Sequence, residues 1–192
     1  MKRRLGIGVL VVIGAVGIWF AAGWSDAGRA CAHDPRFACS PRPATHPIAI
    51  SDPRKSWAYY GRLTPGQTDT YTVSTQSAVT VPWQLLIERK DEGNAARPYA
   101  IVRNQRGQQI ATLDLQSGAT QTFFEPFSGT NYLATIARQL TLAPGISTIT
   151  IGMSNGSAPQ RYVMALGKDE RFGLEEIPYV FGAIHRVKTR GY

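Results

Sequence analysis

The sequence is poor in the residues from which metal centres and reactive sites are most often built. Its 192 residues include only two cysteines, Cys31 and Cys39, and three histidines. The chain also lacks a nucleophile elbow, a phosphate-binding P-loop, an HExxH zinc motif, a dinucleotide fingerprint and a paired-cysteine knuckle. The sequence therefore predicts no catalytic activity and no cofactor.

Charged residues are scarce, and their distribution argues against nucleic acid as a partner. They make up 18% of the chain, below the ~25% typical of soluble domains. Part of the net charge of +8 comes from Lys2, Arg3 and Arg4, and most other basic residues are scattered through turns. No helix-turn-helix, zinc-finger or RNP-like pattern accompanies them. Because 43% of the residues are apolar, general disorder is excluded and one folded domain is expected.

The first 24 residues have the pattern of a membrane anchor. After the basic start MKRR, the run from Leu5 to Trp24 contains no charged residue. About twenty such residues can cross a bilayer, whereas the apolar region of a cleaved signal is usually about 7 to 15 residues long. The positive-inside rule then places residues 1–4 in the cytoplasm and the rest of the chain outside. A cleaved signal is the alternative, and a lipoprotein is disfavoured because Arg29 stands close before Cys31.

Residues 25–47 read as an extended stalk, because they contain four prolines and show no hydrophobic period. Both cysteines lie here. In an oxidising compartment Cys31 and Cys39 would most simply form a local disulfide. Free thiols are one alternative. Another is a zinc or copper site that uses Cys31, His33, Cys39 and His46, although their spacing matches no compact motif.

Residues 48–192 are predicted to form a single antiparallel β-sandwich. Strand-like alternation recurs with turn residues every 8 to 12 positions, as sandwiches require. We expect three hairpins, of which the first spans Ile48 to Val73 and turns at Pro65-Gly66. The second joins Tyr99–Arg103 to Ile110–Leu115, and the third turns at Asn155–Ala158. Deletion of residues 1–46 should therefore leave a folded β domain.

The C-terminal tail changes character and predicts a short helix. Ile177, Val180, Phe181 and Ile184 fall at helical spacing, and basic residues follow them. Such a helix would dock on the sandwich or lie on a membrane surface. A last strand remains the alternative.

Four short motifs follow one another in an order found in one family of accessory domains. They are Gly61-Arg62-Leu63, Asp69-Thr70-Tyr71-Thr72-Val73, Leu142-Ala143-Pro144-Gly145 and Arg161-Tyr162-Val163. In these motifs the chain resembles bacterial pre-peptidase C-terminal domains, over roughly Trp57 to Leu166. The resemblance implies a small jelly-roll-like sandwich without catalytic residues, attached to or assembled with other proteins outside the cytoplasm of a bacterium.

The most aromatic segment, Thr122 to Leu133, supplies the candidate contact surface. Exposed aromatic residues dominate recognition patches, and the candidates are Phe123, Phe124, Glu125, Phe127 and Tyr132. The leading hypothesis is a binding or assembly module, anchored in the bacterial cell membrane, whose partner is another envelope protein or a cell-surface polymer. Periplasmic metal or redox handling by the stalk residues is the second hypothesis. A hydrolase that gathers Glu125, an aspartate and a histidine in one pocket is the third.

Overall fold

The computed structural model describes residues 34–93, 96–125, 129–154, 156, 158–170, 182, 185 and 189. These residues contain twelve strands and one 3-10 turn, η1 (Arg89–Asp91). The strands are β1 (Asp34–Phe37), β2 (Ile48–Ile50), β3 (Trp57–Leu63), β4 (Thr68–Thr75), β5 (Val79–Glu88), β6 (Pro98–Arg103), β7 (Gln109–Asp114), β8 (Thr120–Glu125), β9 (Thr130–Thr135), β10 (Arg138–Leu142), β11 (Gly145–Met153) and β12 (Gln160–Leu166).

The strands form two packed sheets, so the predicted β-sandwich is confirmed. The larger sheet has seven strands in the order β1-β3-β12-β5-β9-β8, and β10 also pairs with β5. The smaller sheet has five strands in the order β2-β4-β11-β6-β7. The sheets are mixed rather than purely antiparallel, because β1 pairs in parallel with β3 and β2 pairs in parallel with β4.

The main core lies between the two sheets. Alternating side chains of both sheets meet there, as the period of two along a strand requires. Trp83, Leu85 and Ile87 from β5 pack with Ile149 and Ile151 from β11 in one buried cluster.

Two Leu-x-Pro-Gly turns carry the chain from the larger sheet to the smaller one. The first lies between β3 and β4, and the second lies between β10 and β11. Leu63 and Leu142 are fully buried at these corners. Gly66 and Gly145 have φ values of 85° and 111°, which glycine adopts without steric cost.

The sheet topology corrects two of the three predicted hairpins. β3 and β4 belong to different sheets, as do β11 and β12. The hairpin at Asn104–Gly107 was predicted correctly, since β6 and β7 pair antiparallel across it. Turn residues mark a change of direction both in a hairpin and in a connection between the two sheets. They do not encode whether the next strand pairs with its neighbour in sequence or crosses to the other sheet.

The second half of the expected stalk belongs to the sandwich. β1 pairs with β3, the Ala38 amide donates to the Tyr60 carbonyl at 2.8 Å, and Arg42 forms a parallel bridge with Asp69. Cys39 is exposed and carries a free thiol, so the predicted disulfide is not supported. Cys31 and His33 lie outside the described residues, as do residues 25–30.

The predicted anchor, residues 1–24, also lies outside the part of the chain that the structure describes. Within that part, no helix is long and apolar enough to cross a membrane. Of the predicted C-terminal helix, only Gly182, His185 and Thr189 are described. These three residues are helical and exposed, and the Thr189 hydroxyl donates to the His185 carbonyl at 2.8 Å.

Two truncated chains test whether residues 34–46 are a stalk or an integral part of the sandwich. We expect a chain that starts at residue 34 to fold, and a chain that starts at residue 47 to lose roughly 3 kcal/mol or more of unfolding free energy. The longer deletion removes β1 and the segment that hydrogen-bonds to Tyr60 and Asp69, and each buried group left unpaired costs about 1–3 kcal/mol. Urea denaturation followed by the fluorescence of buried Trp57 and Trp83 measures the difference. Equal stabilities would contradict the assignment.

Candidate functional site

The aromatic candidates are divided between the two faces of the larger sheet. Phe123 and Tyr132 are directly opposite each other on β8 and β9, on the face that points away from the smaller sheet, here called the outer face. Tyr132 is buried and Phe123 is half-buried. Phe124 points to the opposite face and is 54% exposed. Phe127 lies outside the described residues. The segment therefore presents one exposed aromatic ring among the described candidates, not a continuous aromatic patch.

The outer face of the larger sheet is buried, so it is not an open binding surface. Seven of its side chains form a second apolar cluster, against which Phe37 and Phe123 pack. The cluster consists of Ala58, Tyr60, Leu86, Tyr132, Ala134, Val163 and Ala165. Burial raises the pKa of the Tyr60 phenol well above its ordinary value of 10, and the adjacent Tyr132, Glu125 and Glu88 raise it further. This phenol therefore keeps its proton near neutral pH.

Ion pairs close one end of the outer face. Glu88 is 2% exposed and pairs with Lys90 from η1. Arg161 of β12 holds Asp91 with two hydrogen bonds, at 3.0 and 3.1 Å, and its guanidinium also lies 4.0 Å from Glu88. A planar guanidinium with two bonds to one carboxylate fixes orientation, so these contacts hold η1 against the sheet.

A buried aspartate links both sheets and the N-terminal segment. Asp69 on β4 is fully buried. Its carboxylate accepts hydrogen bonds from the Tyr162 hydroxyl at 2.6 Å, from the Arg42 amide at 2.6 Å and from the Ser40 hydroxyl. The Tyr162 hydroxyl also lies 2.7 Å from that of Tyr71. Since Tyr162 donates its only proton to Asp69, Tyr71 must donate to Tyr162.

This network has a structural role, because it joins the two sheets and the N-terminal segment. Burial raises the pKa of Tyr71 and of Tyr162 well above the ordinary 10, so neither phenol ionises near neutral pH. All donors on Asp69 come from the fold itself. The backbone partner of the Asp69 carboxylate is Arg42, 27 positions earlier in the chain. The sequence did contain a signal for this burial. Asp69 alternates with Tyr71 and Val73 along β4, and alternate residues of a strand share a face.

Neither alternative site is assembled in the described residues. His46 is exposed and lies 3.0 Å from the Thr45 hydroxyl, and no group of three metal-binding side chains occurs in that part of the chain. Glu125 lies near the phenol of Tyr60, whose other neighbours are Tyr132 and Glu88.

A cavity of about 250 Å³ lies between the turns at 104–106 and 143–147. Its lining includes Arg106 but neither an acid nor a histidine.

The exposed end of the larger sheet is the strand β8. Among the described strands β8 pairs only with β9, and four of its six residues are exposed, namely Thr120, Gln121, Thr122 and Phe124. Edge strands are usually guarded by shortness, proline, lysine or a bulge. β8 has six residues, neither proline nor a basic residue, and one charge at its end, Glu125. It is therefore an unguarded edge, a signal that the sequence TQTFFE already contained.

The other sheet edges carry such guards. β2 has only three residues. β1 has four residues and includes Pro35 and Arg36. β10 begins with the exposed Arg138, and the pairing of β7 with β6 is shifted by an irregularity at Val102 and Arg103. β8 is thus the described edge best suited to receive another strand.

The main chain of β8 has a defined orientation. The Ala119 carbonyl accepts from the Ile136 amide at 3.2 Å, and the Glu125 carbonyl accepts from the Gly129 amide at 2.9 Å. The main-chain groups of odd-numbered residues therefore face β9. Because this direction alternates along an antiparallel strand, the main-chain groups of Thr120, Thr122 and Phe124 point away from it.

Comparisons with known proteins show a weak likeness to solved structures. No family model matches the chain, and no curated protein matches it. Among solved structures, the pre-peptidase C-terminal domain of a collagenase from Bacillus anthracis is similar, with a TM-score of 0.38 and 12% identity. The likeness covers 69% of this chain and 94% of that domain. It is a weak match to the family that the sequence motifs resemble.

Substitutions around Asp69 test the structural network. Asp69→Ala should lower the unfolding free energy by about 3–5 kcal/mol, because it leaves the Tyr162 hydroxyl buried without its acceptor and also releases Ser40 and Arg42. Tyr71→Phe removes only the terminal donor and should cost about 1 kcal/mol. Urea denaturation of both variants gives the comparison. A loss for Asp69→Ala no larger than that for Tyr71→Phe would show that Asp69 does not join the two sheets.

Proposed function

We propose that this protein is a binding or assembly module without catalytic activity, held on the outer side of a bacterial cell membrane by residues 5–24. The observation that carries the proposal is the unguarded edge strand β8 with its exposed Phe124. An unpaired strand edge offers a row of main-chain donors and acceptors that only another extended chain satisfies fully.

The shape of the sandwich supports this use of β8. The edge strand of the smaller sheet, β7, packs against β5, and the larger sheet continues for two further strands, β9 and β8, beyond β5. Phe124 is opposite Asn131, on the same face as Leu133, which packs against the core between the sheets. The ring thus points toward the smaller sheet yet stays 54% exposed, because β8 overhangs it.

The partner class follows from this chemistry. Main-chain hydrogen bonding favours a protein strand, and the exposed ring adds apolar contact. Of the two partner classes that the sequence suggested, another envelope protein fits the edge better than a cell-surface polymer does. The two other hypotheses, metal or redox handling by the stalk residues and a hydrolase that uses Glu125, have no comparable support in the described residues.

Cysteine labelling tests the membrane arrangement. In a chain whose Cys31 and Cys39 are replaced by serine, a cysteine introduced at Ile110, which is 42% exposed, should react with a membrane-impermeant maleimide in intact spheroplasts. A cysteine at Lys2, on the expected cytoplasmic side, should react only after lysis. Labelling of Ile110→Cys only after lysis would contradict the proposed orientation.

Photo-cross-linking tests the binding edge. A benzophenone amino acid replacing Phe124 in the full chain, expressed in its own cells, should give discrete protein adducts on irradiation, because the ring at this position would contact the partner. The same residue at Ile110, an equally apolar exposed position on β7, is the control and should give none. If Phe124 and Ile110 behave alike, β8 is not the contact edge.

A further inference from the structure

The edge strand β8 is complementary to itself. Its outward main-chain groups belong to Thr120, Thr122 and Phe124, which are evenly spaced about Thr122. A two-fold axis at Thr122, perpendicular to the sheet, sets Thr122 against its own copy. It also sets each Thr120 against the Phe124 of the other copy. Each of these pairs exchanges two main-chain hydrogen bonds, as hydrogen-bonded pairs of antiparallel strands do.

We propose that the partner of β8 is the β8 strand of a second copy of this chain, paired antiparallel about Thr122. The proposal rests on the proposed function, which makes this edge the binding site, and it names the occupant. The larger sheets of the two copies then join into one continuous sheet. The strands β9 and β8, which extend beyond the smaller sheet in each copy, lie next to each other at the centre of the dimer.

The side chains fit this register on both faces. On the face of Phe124, the ring packs against Thr120 of the other copy, and aromatic residues pair well with threonine methyl groups across strands. On the outer face Gln121 stands opposite Phe123. Glu125 stands opposite Ala119, so the two carboxylates lie about six residues or ~20 Å apart along the strands. At that distance salt screens their repulsion.

The strand β8 itself adds no positive charge to a self-paired interface. Two chains of net charge +8 repel each other, and β8 contains no basic residue. Arg89 lies beside this strand, and its guanidinium donates to the Thr122 hydroxyl at 3.3 Å and pairs with Glu92 at 3.3 Å. The approach of two β8 strands therefore brings no basic residue of the strands themselves face to face, and the arginine beside each strand is paired with Glu92.

The interface is small, which determines how it must be measured. One six-residue strand pair buries less than the roughly 1,200 Å² of a stable interface, so the dimer is weak in dilute solution. Two chains tethered in one membrane have a far higher effective concentration. The experiment therefore uses the full-length chain in membranes.

Single-cysteine variants test the register of the proposed β8–β8 pair. In full chains whose Cys31 and Cys39 are serine, oxidation should convert Thr122→Cys to a disulfide-linked dimer, because Cα atoms of hydrogen-bonded pairs lie about 5.5 Å apart and disulfides span about 4.4–6.8 Å. Thr120→Cys and Phe124→Cys should each give little dimer alone and should cross-link when co-expressed. Thr112→Cys on β7 is the matched control, since Thr112 is also an exposed threonine of an edge strand.

A dimer yield for Thr122→Cys at least tenfold above that of Thr112→Cys supports the proposal, and equal yields overturn it. The photo-adduct at Phe124 separates this inference from the proposed function. An adduct with the mass of two chains supports both. An adduct only with a different protein overturns self-pairing and leaves the binding function standing, whereas no adduct at all overturns both.

Discussion

The hydrogen bonds of Asp69 are the interaction on which the rest of this structure depends. One carboxylate, fully buried between two sheets, takes donors from β12 of the larger sheet and from the segment that follows β1. A buried carboxylate is costly unless its partners satisfy it. The N-terminal segment is therefore part of the sandwich, because without it the carboxylate would lose two of its three donors. Tyr71, which donates to Tyr162, completes a chain of donors across the core.

The sheet-crossing corners explain why an edge is left open. Each Leu-x-Pro-Gly turn moves the chain from the larger sheet to the smaller one, so neighbouring strands in sequence are separated in space. The β8–β9 hairpin lies between the two corners and stays in the larger sheet, where it extends past the last strand of the smaller sheet. The exposed strand β8 is thus a consequence of topology, and its lack of proline and basic residues leaves it available for pairing.

Local pairings could be predicted from the sequence, whereas long-range pairings could not. The β6–β7 turn at Asn104–Gly107 fixes its hairpin by itself, since its strands are joined directly. The partners of β3 and β11 depend on which strands the corners bring together, and turn residues contain no such information. The candidate site shows the same division. Aromatic content indicated the segment from Thr122 to Leu133, but the sheet geometry buried Tyr132 and exposed Phe124.

The sequence by itself determined the class of this fold, because alternating apolar residues and frequent turns are local properties of the chain. It also determined the absence of the common catalytic motifs, and it supplied the expectation of an N-terminal anchor. Only the tertiary structure decided that residues 34–42 are an integral edge, that Asp69 joins the sheets and that β8 is the open edge. Each of these depends on groups far apart in sequence, such as Arg42 and Asp69, and their proximity follows from how two sheets pack and not from any local pattern.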